Sequence, residues 1–347
     1  MYRKSVIAAI LLLYGCATLQ FIRFYSESTT FYLNMPAYLA GHERLPFQER
    51  VLPILFLKPL TDSQWVMHRV AHAQGAFTPQ RGPFYLLSFI AFVVAAIYTQ
   101  RFYNLVTSRK LLAFLVFPVF LFAVMWTYSI HSEADFSYPY DLPSVAFFAA
   151  GLYYIYARRY LPLVLIIIAG TFNRETTLFL IGIFVLDAAT QEATQRLNLR
   201  LVPWLRVALL LIIWLAIKLS LAHHFAGNDA SESYLRLNDN LHQLRPRLLP
   251  ALLNICGYTV PLVLLFHRRL YPLRFRNYLW ILPFWFGVMF CSGVIVETRI
   301  YGELCSFSAI ALVLIMERSA ETALASHADE TAEEGLRPDP RLVAPAA

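Results

Sequence analysis

The stretch Gly170-Thr171-Phe172-Asn173-Arg174-Glu175-Thr176-Thr177 interrupts an otherwise almost pure hydrocarbon run from Leu161 to Leu186. A cation and an anion at the centre of a membrane helix cost about 2.5–3.5 kcal/mol each on insertion scales. Such residues face a protein interior or a watery cavity rather than lipid. If 161–188 were one tilted helix, every later loop would change sides. The basic cluster His267-Arg268-Arg269, with Arg274 and Arg276, would then lie outside, against the positive-inside bias. A turn at Asn173-Arg174-Glu175 keeps that cluster inside. The break therefore reads as two short helices, 161–172 and 176–188, each about 18–20 Å long at about 1.5 Å per residue. Neither spans a bilayer alone, so the turn between them is expected to be buried in protein or to line a cavity.

The rest of the chain belongs to the same class. Its 347 residues are 58% hydrophobic and only 15% charged, with a mean hydropathy of +0.53. A soluble domain of this length would carry more charge. The apolar runs do not alternate with polar residues, which excludes a β-barrel. The expected fold is all-α, a polytopic transmembrane bundle of about ten crossings with both termini cytoplasmic. The spans fall near Ser5–Phe24, Phe84–Ile97, Leu111–Ile130, Leu142–Tyr156, the two half-helices, Leu201–Leu221, Leu248–Phe266, Tyr278–Val296 and Leu304–Met316. Residues 25–82 form a long first outer loop carrying interfacial helices. Residues 1–316 make the transmembrane domain, and 317–347, rich in Ala, Glu and Pro, a disordered cytoplasmic tail.

The net charge is +7, yet the basic residues sit at the ends of apolar runs rather than in one stripe. They mark topology, and nucleic acid is not an expected partner. The four cysteines, Cys16, Cys256, Cys291 and Cys305, lie in or beside apolar runs and read as small buried hydrophobes. Leu13-Tyr14-Gly15-Cys16 resembles a lipidation signal, but bulky Tyr14 and continuing apolar residues favour an uncleaved first helix. His68 and His72 share a helix face without a third metal ligand nearby. No glycine-rich phosphate loop or nucleophile elbow is present.

This threading gathers the unusual polar groups on the outer side. Glu27, Glu43, Arg44, Glu49 and Arg50 lie in the first outer loop. Glu133, Asp135 and Asp141 lie in the second. Asn173, Arg174 and Glu175 join them, with Glu297, Arg299 and Glu303 from a later loop. Mixed carboxylates and arginines at one face suit a site that handles an anionic group and moves a proton. Each also has a plainer reading. Glu27 can be solvated, Arg50 can snorkel to headgroups, and Asp141 can cap the next helix. Arg174–Glu175 can be a structural ion pair, and 297–303 a charged loop.

Several segments together resemble the bacterial multi-pass glycosyltransferases of the GT-C type, which use polyprenyl-phosphate sugars. They are the acid Glu27 after the first helix, then Tyr32, Ala37, Gly41 and Pro46-Phe47-Gln48-Glu49-Arg50-Val51-Leu52-Pro53. Tyr140-Asp141-Leu142-Pro143-Ser144, Phe172-Asn173-Arg174-Glu175-Thr176 and Glu297-Thr298-Arg299-Ile300 complete the set. The resemblance implies residence in the bacterial cytoplasmic (inner) membrane, among membrane lipids. It implies a lipid-linked sugar donor and an extracytoplasmic glycan, lipid or protein acceptor. By that resemblance Glu27 is the general base, with Asp141 a second carboxylate or ligand of a divalent cation. Arg50, Arg174 and Arg299 would clamp the leaving lipid phosphate, Asn173 and Glu175 would orient Arg174, and Glu297 would line the substrate site. Two rivals share these features. One is a transporter or flippase of a lipid-linked or anionic solute, to which broken helices and buried charge are equally suited. The other is a noncatalytic subunit of an envelope-assembly complex.

Overall fold

The computed structural model describes residues 2–72, 81–108, 110–130, 136–191, 196–230, 235–243 and 248–336. Glu133, Asp135 and the end of the tail, 337–347, lie outside them. The chain is mostly helical. In chain order the helices are α1 (Tyr2–Ser28), α2 (Met35–Ala40), α3 (Leu52–Asp62), α4 (Gln64–His72), α5 (Arg81–Val106), α6 (Val116–Met125), α7 (Asp141–Tyr156) and α8 (Tyr160–Asn173). They continue with α9 (Leu178–Ala189), α10 (Trp204–His224), α11 (Leu237–Gln243), α12 (Leu248–Leu253), α13 (Thr259–Leu265), α14 (Leu273–Arg276), α15 (Ile281–Ser292) and α16 (Cys305–Leu336). Among the described residues five helical stretches are long and apolar enough to cross a membrane: Ser5–Ser28, Arg81–Val106, Ala113–Ile130, Trp204–His224 and Thr298–Ala325.

Helix α16 runs through the middle of the bundle, packed against α5, α6, α7 and α13. Small residues at its start let neighbours come close, and hydroxyls tie them to it. Thr99 Oγ1 donates to Ser306 Oγ at 2.8 Å, and Thr259 Oγ1 to Ser308 Oγ at 2.8 Å. Helices α1 and α10 lie outside and turn aliphatic side chains such as Leu12, Leu205 and Ile212 outward, as helices bathed in lipid do.

The break in the hydrocarbon run is where the sequence put it. Helix α8 ends at Asn173, Arg174 is extended (φ −163°, ψ 139°), and a short 3-10 turn leads into α9. The chain doubles back there. Tyr160, at the start of α8, meets Phe184, past the middle of α9, with ring centroids 6.1 Å apart. Gly170 makes the tight turn possible, because a Cβ there would lie 2.5 Å from the Thr177 methyl. The exposed backbone groups find partners, as a low-dielectric setting requires. Trp214 Nε1 of α10 donates to the Glu175 carbonyl at 3.0 Å, and Thr171 and Thr177 hydroxyls meet at 2.9 Å.

Three expectations change. Helix α16 continues past Met316 to Leu336, so the disordered tail does not begin at 317. Glu317 is buried; it accepts from the Leu112 backbone N–H at 2.8 Å and from the Tyr103 hydroxyl. Cysteines 256 and 305 are buried with sulfurs 3.5 Å apart, whereas Cys16 and Cys291 are exposed. Two short strand pairs join the helices. One, Thr30–Phe31 beside Phe136–Ser137, is parallel and ties the segment after α1 to the segment before α7. The other pairs Thr190–Gln191 with Arg196–Leu197.

Candidate functional site

Four segments meet at the turn between α8 and α9: the loop before α3, the start of α7, the turn itself, and the 3-10 segment Thr298–Leu304 that precedes α16. Asn173 fastens the turn to α7. Its Nδ2 donates to the Tyr140 carbonyl at 3.0 Å and to Ser144 Oγ at 2.8 Å. Arg174 is thereby aimed between two carboxylates. Its Nη1 lies 3.4 Å from Glu303 Oε1 and 3.8 Å from Asp141 Oδ1. Thr176 Oγ1 donates to Glu303 at 2.8 Å. All three ionic groups are buried. Asp141 Oδ2, Glu303 Oε2, Asn173 Oδ1 and the Tyr128 hydroxyl make no hydrogen bond there, and neither do Arg174 Nε and Nη1. Unsatisfied polar atoms gathered in one buried spot call for a partner or a role beyond packing.

A second layer of pairs surrounds this knot. Arg50 Nη2 donates to Glu175 Oε1 at 2.9 Å. Arg299 Nη2 donates to Glu297 Oε2 at 2.8 Å, and Lys218 Nζ of α10 to Glu49 Oε2 at 2.6 Å. The outer carboxylates are open to the surroundings: the side chains of Glu175 and Glu297 are 36% and 33% exposed. Arg50, Arg299 and Arg174 are themselves equally buried; what differs is that both carboxylates facing Arg174 are buried as well.

An aromatic stack runs beneath the arginines. Phe47 stacks on Tyr138 at 5.5 Å, and Tyr138 on Tyr140 at 5.1 Å. Arg50 lies 4.3 Å over Tyr140, and Arg299 4.3 Å over Tyr138. Tyr32 meets Phe47 at the open end, with Arg44 4.6 Å above it. Such cation–aromatic contacts hold guanidinium groups in fixed planes. Burial pushes the Tyr138 phenol up, and the Arg299 guanidinium acts against that shift. Burial also pushes Glu43 up, opposed by the backbone N–H of Asn34 and by Arg44.

The structure brings Arg50, Asp141, Asn173, Arg174, Glu175, Glu297 and Arg299 together, and leaves Glu27 out. Glu27 is in the last turn of α1 and pairs with Arg23 at 2.9 Å on the outer surface. Its expected role as base in this cluster is not supported. Asp141 is the first residue of α7 and makes no capping hydrogen bond. Asn173 holds the turn on α7 and so aims Arg174, whereas Glu175 takes Arg50. Glu303, Lys218 and the stack of Phe47, Tyr138 and Tyr140 are additions. Glu303 stood among the polar groups that the threading gathers, without a role of its own. Among the described residues no group of three or more His, Cys, Asp or Glu side chains is placed to hold a metal ion. No protein-family model matches the chain, and no curated protein or solved structure is significantly similar to it.

Proposed function

We propose that the chain is an integral membrane glycosyltransferase of the GT-C kind. In this reading it moves a sugar from a polyprenyl-phosphate donor to an extracytoplasmic glycan, lipid or protein acceptor. It sits in a bacterial cytoplasmic membrane with about ten spans, counting the half-helices α8 and α9 one each. The observation that carries the reading is Asp141. It is a buried carboxylate with one unbonded oxygen, backed by Arg174, and the arginines Arg50 and Arg299 lie on an aromatic face beside it.

Each part has a task in such a transfer. The free Oδ2 of Asp141 takes the proton of the acceptor hydroxyl as that oxygen attacks the anomeric carbon. The bond from that carbon to the phosphate oxygen breaks, and its electron pair leaves with the lipid phosphate. Arg50 and Arg299 move from Glu175 and Glu297 to this growing charge. Arg174 stays with Asp141 and Glu303 as a positioning residue. The Tyr138 and Tyr140 rings hold the planes of Arg299 and Arg50 beside Asp141. Asp141 thus takes the role that the sequence reading gave Glu27.

The test is release of polyprenyl phosphate from labelled donors, carrying a hexose, an N-acetylhexosamine or a pentose, by protein reconstituted in vesicles. Wild-type protein is expected to turn over at least one donor. Asp141→Asn should be slower by about 10²–10⁴-fold, the usual worth of a general base, while Glu27→Gln stays within about twofold of wild type. Equal rates in wild type and Asp141→Asn would remove the proposal. So would passage of an unaltered solute across the vesicle without covalent change.

A further inference from the structure

A cleft of about 280 Å³ opens at the other end of the re-entrant hairpin, between the end of α7, the start of α8, the end of α9 and the start of α10. Its distance from the ionic cluster can be read along α10. Arg206 lines the cleft, while Lys218, twelve residues on and about 18 Å away, pairs with Glu49. Three arginines converge on it: Arg158, Arg159 and Arg206.

These three differ from every other arginine group described above. Arg158 holds a left-handed backbone (φ 55°), which turns the chain from α7 into α8 beside the cleft. Arg206 lies 5.2 Å over the Tyr160 ring, whose hydroxyl donates to the Arg206 carbonyl at 3.2 Å. None of the three is paired with a carboxylate among the described residues. Among the described residues the wall holds one acid, Asp187, which is already ion-paired. It accepts from Arg274 Nε and Nη2, both at 2.7 Å, and from the Tyr278 hydroxyl. Among the described residues the cleft thus offers three guanidinium groups and no free anion.

Its flanks are apolar. Leu161 of α8 is 71% exposed and Leu205 of α10 is 86% exposed, and Trp204 stands beside Leu205. An aqueous phosphate-binding pocket has no use for such side chains, whereas aromatic and aliphatic residues next to arginines suit the membrane–water boundary. We propose that the cleft binds the phosphate headgroup of an anionic phospholipid, whose acyl chains lie along α8 and α10. Basic pockets between membrane helices recognise anionic headgroups in this way. The site is independent of the transfer reaction proposed above.

The experiment is native mass spectrometry of the full chain during stepwise delipidation, with phosphatidylglycerol or phosphatidylcholine supplied. Wild type should retain phosphatidylglycerol and lose phosphatidylcholine. The variant R158Q/R159Q/R206Q should hold phosphatidylglycerol about 100-fold more weakly, and Arg159→Gln alone about fivefold more weakly. The variant R268Q/R269Q, altered in a different basic groove, should retain it like wild type. The single variant keeps the test open if the triple one does not fold. Equal retention by wild type and Arg159→Gln would overturn the proposal. Equal loss in R268Q/R269Q, equal retention of both lipids, or displacement of the lipid by inorganic phosphate at comparable concentration would do the same.

Discussion

Arg174 and Arg159 sit at opposite ends of one hairpin and live under opposite rules. Arg174 is buried and shared by Asp141 and Glu303. Arg159 is exposed and has no carboxylate partner among the described residues. In a low-dielectric interior an arginine without a counter-ion is too costly to keep. At a membrane surface it remains hydrated and free to meet a ligand. The contrast shows that arginine count says little by itself. Depth decides whether the residue is committed within the fold or left available.

Removing Arg174 should therefore have the largest effect on stability. Arg174→Met leaves Asp141 and Glu303 buried without their shared cation, and breaking a buried pair costs about 3–5 kcal/mol. Fluorescence-detected size exclusion after heating should show a large loss of folded protein. The double variant Arg174→Met/Glu303→Gln should recover part of it, because one buried charge is gone. If Arg174→Met melts like wild type, the knot is solvated and the depth argument is wrong.

Arg50 tests an intermediate depth. Its guanidinium is buried, but its partner Glu175 is open on one side. Lys218, which pairs with Glu49, also lies within electrostatic reach of Glu175. Arg50→Met should cost about 1–2 kcal/mol, less than a sealed pair because solvent screens the carboxylate left behind. The same melting assay should place it between Arg174→Met and wild type. A loss as large as that of Arg174→Met would mean that Glu175 is sealed in as well, and that Arg50 is not free to change partners.

How much of this was legible in the sequence depends on whether the signal was local. The half-helices predicted at 161–172 and 176–188 appear at Tyr160–Asn173 and Leu178–Ala189, because charge inside hydrocarbon is a local contradiction with few solutions. The partners of those charges were not legible. Arg50 and Glu175 are 125 residues apart, and no spacing rule reaches that far. Glu27 was misplaced for a related reason. Helix α1 is apolar nearly all round, so its sequence does not show which side meets the bundle. The tail was misread from composition, since Ala and Glu favour helix as much as they mark low hydrophobicity. What anchors it is Glu317 reaching Tyr103 and Leu112, contacts no local pattern shows.

The smallest effect is expected at Arg23. Arg23–Glu27 and Arg50–Glu175 are ion pairs of the same length, 2.9 Å. They differ in burial: the Arg23 side chain is 70% exposed and that of Arg50 only 10%. Exposed pairs gain little, because solvent screens the attraction and holding two long side chains costs entropy. Arg23→Gln should leave the melting curve unchanged in the assay that separates Arg50→Met from wild type. If the two variants lose the same stability, the distance between partners governs the strength of these pairs, and burial, on which the contrast between the two ends of the hairpin rests, does not.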